Sequence, residues 1–378
     1  MVDRRRIVRQ WRQGGAKVLA TLVRVEGSSY RQPGAHLLIG SDGEYAGTIS
    51  GGCLEAEVVR KAEWMVRDGA VVQRYSTMFD DTAEMPFGLG CGGVVDLLLE
   101  PAQTPECHAF LAAMETSLSG NESLVATWLP QDGSSLARVV MRGGKPVFAS
   151  SGLDTHEIAL ASVTDSFLSS GLLDGRIYLE KIRAPQRLIV LGAGDDAKPV
   201  VTMAALLGWN ITVADGRAQL TRPERFPEAE RVLTASSVED LGIKRGDAVV
   251  LMTHSYEQDR ALLAELLKAD SATTTTPGYI GLLGARHRSS LLVSQAAEMA
   301  GRSVAECCES VFSPVGLDLG GDGAEAIALA VVAEVQAWVQ GRQGRSRRLT
   351  AQDVAEQIAQ LGTSRNLQAQ CALDAAGN

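Results

Sequence analysis

Long apolar runs are missing from this chain of 378 residues. No stretch approaches the roughly 18 consecutive apolar residues that a spanning helix needs, so no membrane segment is expected. The N-terminal MVDRRRIVRQW lacks the apolar centre of a secretory signal and reads as the start of an amphipathic helix. Cysteine is sparse. Its six residues show no regular spacing and no CxxC pair, against a disulfide framework, a structural zinc site or a thioredoxin-type centre. Basic charge is short too: 36 Lys and Arg face 45 Asp and Glu, for a formal net charge of −9. A dedicated nucleic-acid surface is therefore not expected. No internal repeat is visible. These absences point to a cytoplasmic protein with reduced thiols.

What is present is ordinary globular material, 45% apolar and 21% charged, with length enough for two domains. After a helix near 3–13, the runs AKVLATLVRVE, HLLIG and EYAGTIS are broken by the loop GSSYRQPG and the turn SDG, a pattern of hairpins or a meander. A helix begins near Leu54, and VVQRYS, GVVDLLLE, ESLVATWL and ARVVMR are further strand candidates, with the helical run HAFLAAMETSL among them. This describes an α+β domain over 1–175. RIYLEKIRAPQ, near 176–186, reads as an extended connector. From 187 to about 340, the apolar strands RLIVLG, NITVAD, DAVVLM and GYIGLLG alternate with helices, so the fold class is α/β with a Rossmann-like, doubly wound parallel sheet. A polar tail occupies 341–378 and opens with four arginines, Arg342, Arg345, Arg347 and Arg348.

Several constellations carry chemistry. In TISGGCLEAE, Cys53 follows Gly51 and Gly52 and precedes a helix, where free amides and the helix dipole favour a thiolate. The alternative is a small apolar side chain tucked under a turn. Cys91, in FGLGCGGVVDLLLE, is likewise set among glycines, whereas the adjacent Cys307 and Cys308 read as core packing. LIVLGAGDDAKPV places Gly192 and Gly194 at a strand end with Ala197 opening a helix, and Asp215 closes the next strand, where an acid takes a ribose hydroxyl. Asp195 and Asp196 put negative charge in that phosphate turn, leaving open a Rossmann shape that has lost or changed its nucleotide. His254 stands at the carboxyl edge of the expected sheet, as a ligand contact or an incidental hydrogen-bonding residue. Arg286 and Arg288 open a helix after a glycine pair, as an anion site or an ordinary solvated turn. Asp322 is a candidate N-cap of the last helix.

The stretches GSSYRQPGAHLLIGSDGEYAGTISGGCLEAEV, GLGCGGVVDLLLEP, APQRLIVLGAGDDAKPV, VADGR, YIGLLGARHR and SPVGLDLGG together resemble the XdhC/CoxI family, accessory factors for molybdenum hydroxylases such as xanthine dehydrogenase. They follow the family's order across most of residues 20–340. The resemblance implies a cytoplasmic protein that binds molybdenum cofactor, as molybdopterin or its nucleotide form, and helps sulfurate it and insert it into a molybdenum hydroxylase apoenzyme. A cysteine desulfurase is the implied sulfur donor, and a homodimer fits such a hand-over. The family's motif cysteines fall on Cys53 and Cys91 and its Rossmann turn on Gly192 and Gly194; many members have histidine and valine where this chain has Asp195 and Asp196. On this reading Cys53 contacts the metal or carries sulfur, and Ser28, Ser29 and Arg31 hold phosphate or pterin. The protein is then a delivery factor rather than a turnover enzyme. The competing expectation is an NAD(P)-linked oxidoreductase using Gly192, Gly194 and Asp215, for which no Tyr-x-x-x-Lys pair stands nearby.

Overall fold

The computed structural model describes residues 1–52, 54–76, 93–131, 135–154, 170–268, 270–271, 274–345 and 352. Cys53, Cys91 and most of the tail lie outside the described residues. The chain forms two compact units, one over Val2–Ala184 and one over Pro185–Arg347.

The first unit holds helix α1 (Val2–Gln13) and strands β1 (Ala16–Glu26), β2 (His36–Gly40) and β3 (Tyr45–Gly47), then α2 (Glu55–Met65), β4 (Val71–Ser76) and β5 (Val94–Pro101). After α3 (Pro105–Leu118) come β6 (Ser123–Trp128), β7 (Ala137–Arg142), β8 (Lys145–Ala149), β9 (Gly171–Leu173) and β10 (Ile177–Ile182). They build two five-stranded sheets, in the orders β3-β2-β1-β5-β4 and β8-β7-β6-β10-β9. All their ladders are antiparallel.

Strand β1 is apolar nearly throughout because both its faces are covered. Val18, Ala20 and Leu22 pack with Val58 and Ala62 of α2, while Leu19 joins the α1 and α3 core containing Ile7, Phe110 and Met114. The period of two along the strand thus feeds two different cores. Val125, Val140 and Ile182 of the second sheet enter that same α1 and α3 core.

Two buried polar ties join the sheets. Arg138 of β7 donates to both carboxylate oxygens of Glu100 of β5 at 2.9 Å, and His36 of β2 lies 3.2 Å from Glu180 of β10. The segment expected as a connector, 176–186, is therefore corrected: through Ile182 it is strand β10, paired with β6 and β9. Its charged residues suggested an exposed stretch, but Glu180 is buried against His36.

The second unit contains β11 (Arg187–Leu191), α4 (Ala197–Leu206), β12 (Asn210–Asp215), β13 (Arg231–Thr234), β14 (Ala248–Leu251) and α5 (Tyr256–Lys268). A two-residue ladder, β15 (Asp270–Ser271) with β16 (Thr274–Thr275), precedes β17 (Tyr279–Leu282), α6 (Arg286–Ala300), α7 (Val304–Ser310), β18 (Val311–Phe312) and α8 (Ala324–Val339). The six strands run parallel in the order β13-β12-β11-β14-β17-β18. That is the doubly wound order of dinucleotide-binding folds. Alternate residues serve opposite faces: Leu188 and Val190 pack with α4 and α8, Ile189 and Leu191 with α5 and α6. Cys307 is buried in the second of these layers, whereas Cys308 is exposed. Gly323, not Asp322, is the N-cap of α8, and it makes no side-chain cap.

Candidate functional site

In the first unit three glycine motifs, remote in sequence, meet at one place. Strand β5 enters beside the exit of β1, with Val94 opposite Glu26. That register presses the residue before β5 against the GSSY loop. A Cβ on Gly93 would stand 2.0 Å from the Ser28 carbonyl oxygen and 3.0 Å from that of Glu26, so only glycine fits. On the same loop the Tyr30 ring lies over the SGG turn: a Cβ on Gly51 would sit 3.7 Å from Tyr30 Cγ. Ser28, Tyr30, Gly51 and Gly52 are all exposed. In sequence Cys53 follows Gly52 directly and Cys91 is two positions before Gly93; both cysteines lie outside the described residues.

The SGG turn is held by Glu55, at the start of α2. Its carboxylate accepts hydrogen bonds from the amides of Ile49 (3.0 Å), Ser50 (2.8 Å) and Gly52 (3.0 Å), and from the Ser50 hydroxyl. Burial works to raise the Glu55 pKa, but the Ser50 hydroxyl and the backbone amides outweigh it and hold the carboxyl below its ordinary value. Sequence reading passed over Glu55; the signal was an acid in the first helical turn just after a glycine pair, where free amides need an acceptor. Arg31 is half-buried, and its guanidinium is engaged 3.0 Å from Asp3.

In the second unit the strand order reverses between β11 and β14, the crevice where open α/β sheets bind ligands. The turns after these strands touch. Gly192 has φ of 127°, and a Cβ there would lie 2.3 Å from the Met252 carbonyl oxygen. On the opposite turn His254 adopts φ of 61°, a conformation that non-glycine residues rarely hold. Its Nε2 is 2.7 Å from Asp196 Oδ2. The other carboxylate oxygen, Oδ1, folds over Gly194, 2.4 Å from where a Cβ would stand. Asp195 is turned outward to Lys198 at 2.7 Å and Arg225 at 3.1 Å.

Asp215 closes β12 as the pattern predicts, but its carboxylate is already engaged. It accepts from the Ala193 amide at 2.8 Å, the Arg217 amide at 2.9 Å, and Arg217 Nε and Nη2 at 2.9 and 2.8 Å. Burial opposes the charged form, but the Arg217 guanidinium and the two amides prevail and depress the Asp215 pKa. The cavity beside it, bounded by Gly216, Ser236, Thr253 and Gln258, measures about 30 Å³. That is room for about one water rather than a ribose. Arg286 is exposed and faces a separate groove of about 420 Å³ with Ser290, Val304 and Cys308, away from Gly192 and His254. Its neighbour Arg288 instead ties α6 to the His254 turn, through buried Asp259 at 2.6 Å and on to the Thr253 hydroxyl at 2.7 Å. Among the described residues no group of three or more His, Cys, Asp or Glu is placed to hold a metal ion. No described helix is long and apolar enough to cross a membrane.

The class these features define is a two-unit α/β protein: an antiparallel unit carrying glycine-set cysteine motifs and a Rossmann-type unit with an altered phosphate turn. Two family models match it, the XdhC and CoxI family over residues 10–76 and the XdhC Rossmann domain over residues 188–335. The chain belongs to the XdhC/CoxI family. Among its relatives is a Bacillus subtilis protein named as a probable xanthine dehydrogenase subunit, 28% identical over 322 residues, or 84% of this chain and 92% of the relative. The Escherichia coli "Molybdenum cofactor insertion chaperone PaoD" is 26% identical over 324 residues, 85% of this chain and 83% of the relative. A crystal structure described as a xanthine dehydrogenase from Bacillus halodurans superposes with a TM-score of 0.75 at 26% identity, covering 92% of this chain and 98% of that one.

Proposed function

We propose that the protein receives molybdenum cofactor and delivers it to a molybdenum hydroxylase apoenzyme in the cytoplasm, assisting its sulfuration on the way. The observation that carries this reading is the meeting of the GSSY, SGG and CGG motifs through Tyr30 over Gly51 and Ser28 over Gly93. The names of the two relatives support it: the Escherichia coli protein is a molybdenum cofactor insertion chaperone, and the Bacillus subtilis protein is named for xanthine dehydrogenase. The cargo is a pterin bearing a dithiolene and a phosphate. The exposed GSSY loop offers it the Ser28 hydroxyl and the Tyr30 ring, and in sequence Cys53 follows Gly52 and Cys91 precedes Gly93. In this scheme Cys53 or Cys91 contacts the metal or carries sulfur, a cysteine desulfurase supplies that sulfur, and two copies of the chain cooperate. The protein acts by binding and transfer, with no turnover chemistry of its own.

The test is to co-produce the full chain with the cofactor pathway, purify it, and assay oxidised-pterin fluorescence and molybdenum. Wild type retaining cofactor, with loss in Cys53→Ala or Cys91→Ala, is the expected result. An empty wild-type protein overturns the reading.

A second reading, an NAD(P)-linked oxidoreductase, draws on the strand order and the Gly192 turn. The occupied Asp215 and the acid over Gly194 weigh against it. Calorimetric titration with NAD and NADP decides it, and absence of binding removes it.

A further inference from the structure

Tyr30 is 76% exposed, whereas Tyr75, Tyr178 and Tyr279 are at most 2% exposed. Trp64 at 64% and Tyr45 at 51% are exposed as well, so exposure alone assigns Tyr30 no role; its position does. The ring's inner side rests on Gly51, where the lack of a side chain lets ring and backbone approach: Cγ, Cδ1 and Cδ2 lie 3.7 to 4.0 Å from a Cβ built there. The turn beneath is fixed in turn, because Glu55 accepts the amides of Ser50 and Gly52. The loop that carries Tyr30 is pinned at Ser28 by Gly93 and at Arg31 by Asp3. The ring is thus carried by one braced segment and rests on another, and the same loop bears the exposed Ser28.

We infer that Tyr30 is a stacking platform for a flat, fused heteroaromatic ring whose edge carries hydrogen-bonding groups. Given the reading under Proposed function, on which this assignment rests, that ring is the pterin of the cargo. Stacking uses the face of the phenol and not its hydroxyl.

The experiment titrates free oxidised pterin, followed by its own fluorescence, into full-length wild type, Tyr30→Phe and Tyr30→Ala. The expected result is about a tenfold or greater loss of affinity for Tyr30→Ala, with Tyr30→Phe within about twofold of wild type, as stacking without a hydroxyl contact requires. Unchanged circular dichroism in both variants confirms that the fold is intact. Equal affinity for Tyr30→Ala and wild type overturns the assignment. So does a loss in Tyr30→Phe as large as in Tyr30→Ala, or a wild type that does not bind pterin. The co-production assay keeps the two ideas apart. Wild type that retains cofactor, alongside Tyr30→Ala that retains as much, removes the platform and leaves delivery standing. Wild type that emerges empty, yet binds free pterin through Tyr30, removes delivery and leaves the platform.

Discussion

The carboxylate of Asp196 bridges two turns at the carboxyl edge of the parallel sheet, lying against Gly194 and 2.7 Å from His254 Nε2. Glycine turns of this kind ordinarily receive a phosphate, because backbone amides and the helix N-terminus face it. Here an acid of the chain itself sits there. Its charge repels an incoming pyrophosphate, and at a few ångströms such repulsion amounts to several kcal/mol even in a partly solvated site.

The first prediction follows. Asp196→Ala should bind ADP-ribose or NAD at least about tenfold more tightly than wild type, a gain of about 1.4 kcal/mol. Isothermal calorimetry on both proteins measures it. Equal affinities would show that the turn rejects nucleotides for another reason, such as the engagement of Asp215 by Arg217.

Glu55 is the second test. Its carboxylate takes three backbone amides, and a glutamine cannot accept all of them without turning an N–H toward a donor. Glu55→Gln should cost about 2 kcal/mol of stability near neutral pH, within the range for leaving buried donors unpaired. The pH dependence has a definite sign. The folded carboxyl is held below its ordinary value, so its stabilising contribution is present above the unfolded pKa of about 4.3 and is lost as pH falls through the lower folded value. The gap between wild type and variant, read from denaturant unfolding, should therefore shrink in acid. A gap independent of pH would refute the role given to the charge.

A third prediction concerns the pair that ties the two antiparallel sheets. Arg138 and Glu100 are 2% and 1% exposed and joined by two hydrogen bonds, with the Thr127 hydroxyl 3.0 Å from Arg138 Nε. Arg138→Met strands a buried carboxylate and should cost about 3 to 5 kcal/mol, while Arg138→Met with Glu100→Leu should recover most of it. Chemical denaturation of the single and double variants provides the cycle. A double variant no more stable than the single one would show that the arginine acts through packing, for instance over the Phe110 ring.

These ties also mark where sequence reading stopped. The strands of the parallel sheet were plain from apolar runs such as RLIVL and AVVL, since burial on both faces leaves that signature. IYLEKI gave the opposite impression. Its Glu180 is satisfied by His36, 144 residues away, and no local pattern announces such a partner. The glycine-set motifs were equally plain as motifs, but their meeting depends on the register that sets Val94 against Glu26. Asp215 stood where the fingerprint puts an acid; that Arg217 would turn back upon it is a rotamer choice that spacing does not encode.

Gly93 offers the last prediction, and the one that separates site from scaffold. Any side chain there meets the Ser28 carbonyl oxygen at 2.0 Å, so Gly93→Ala must push the GSSY loop away from the start of β5. The strain should cost about 1 to 3 kcal/mol, as overpacking usually does, and leave a folded protein. The loop, however, carries Ser28 and Tyr30, and its shift would open the place where the three motifs meet. Gly171→Ala, in β9 of the same unit, is the control, because a Cβ there has nothing within 4 Å. Co-produced with the cofactor pathway, Gly93→Ala should lose most of its pterin and molybdenum while Gly171→Ala keeps both. Were Gly93→Ala to retain its cargo in full, the meeting of the motifs would be a feature of the fold alone, and the binding place would have to be sought elsewhere in the chain.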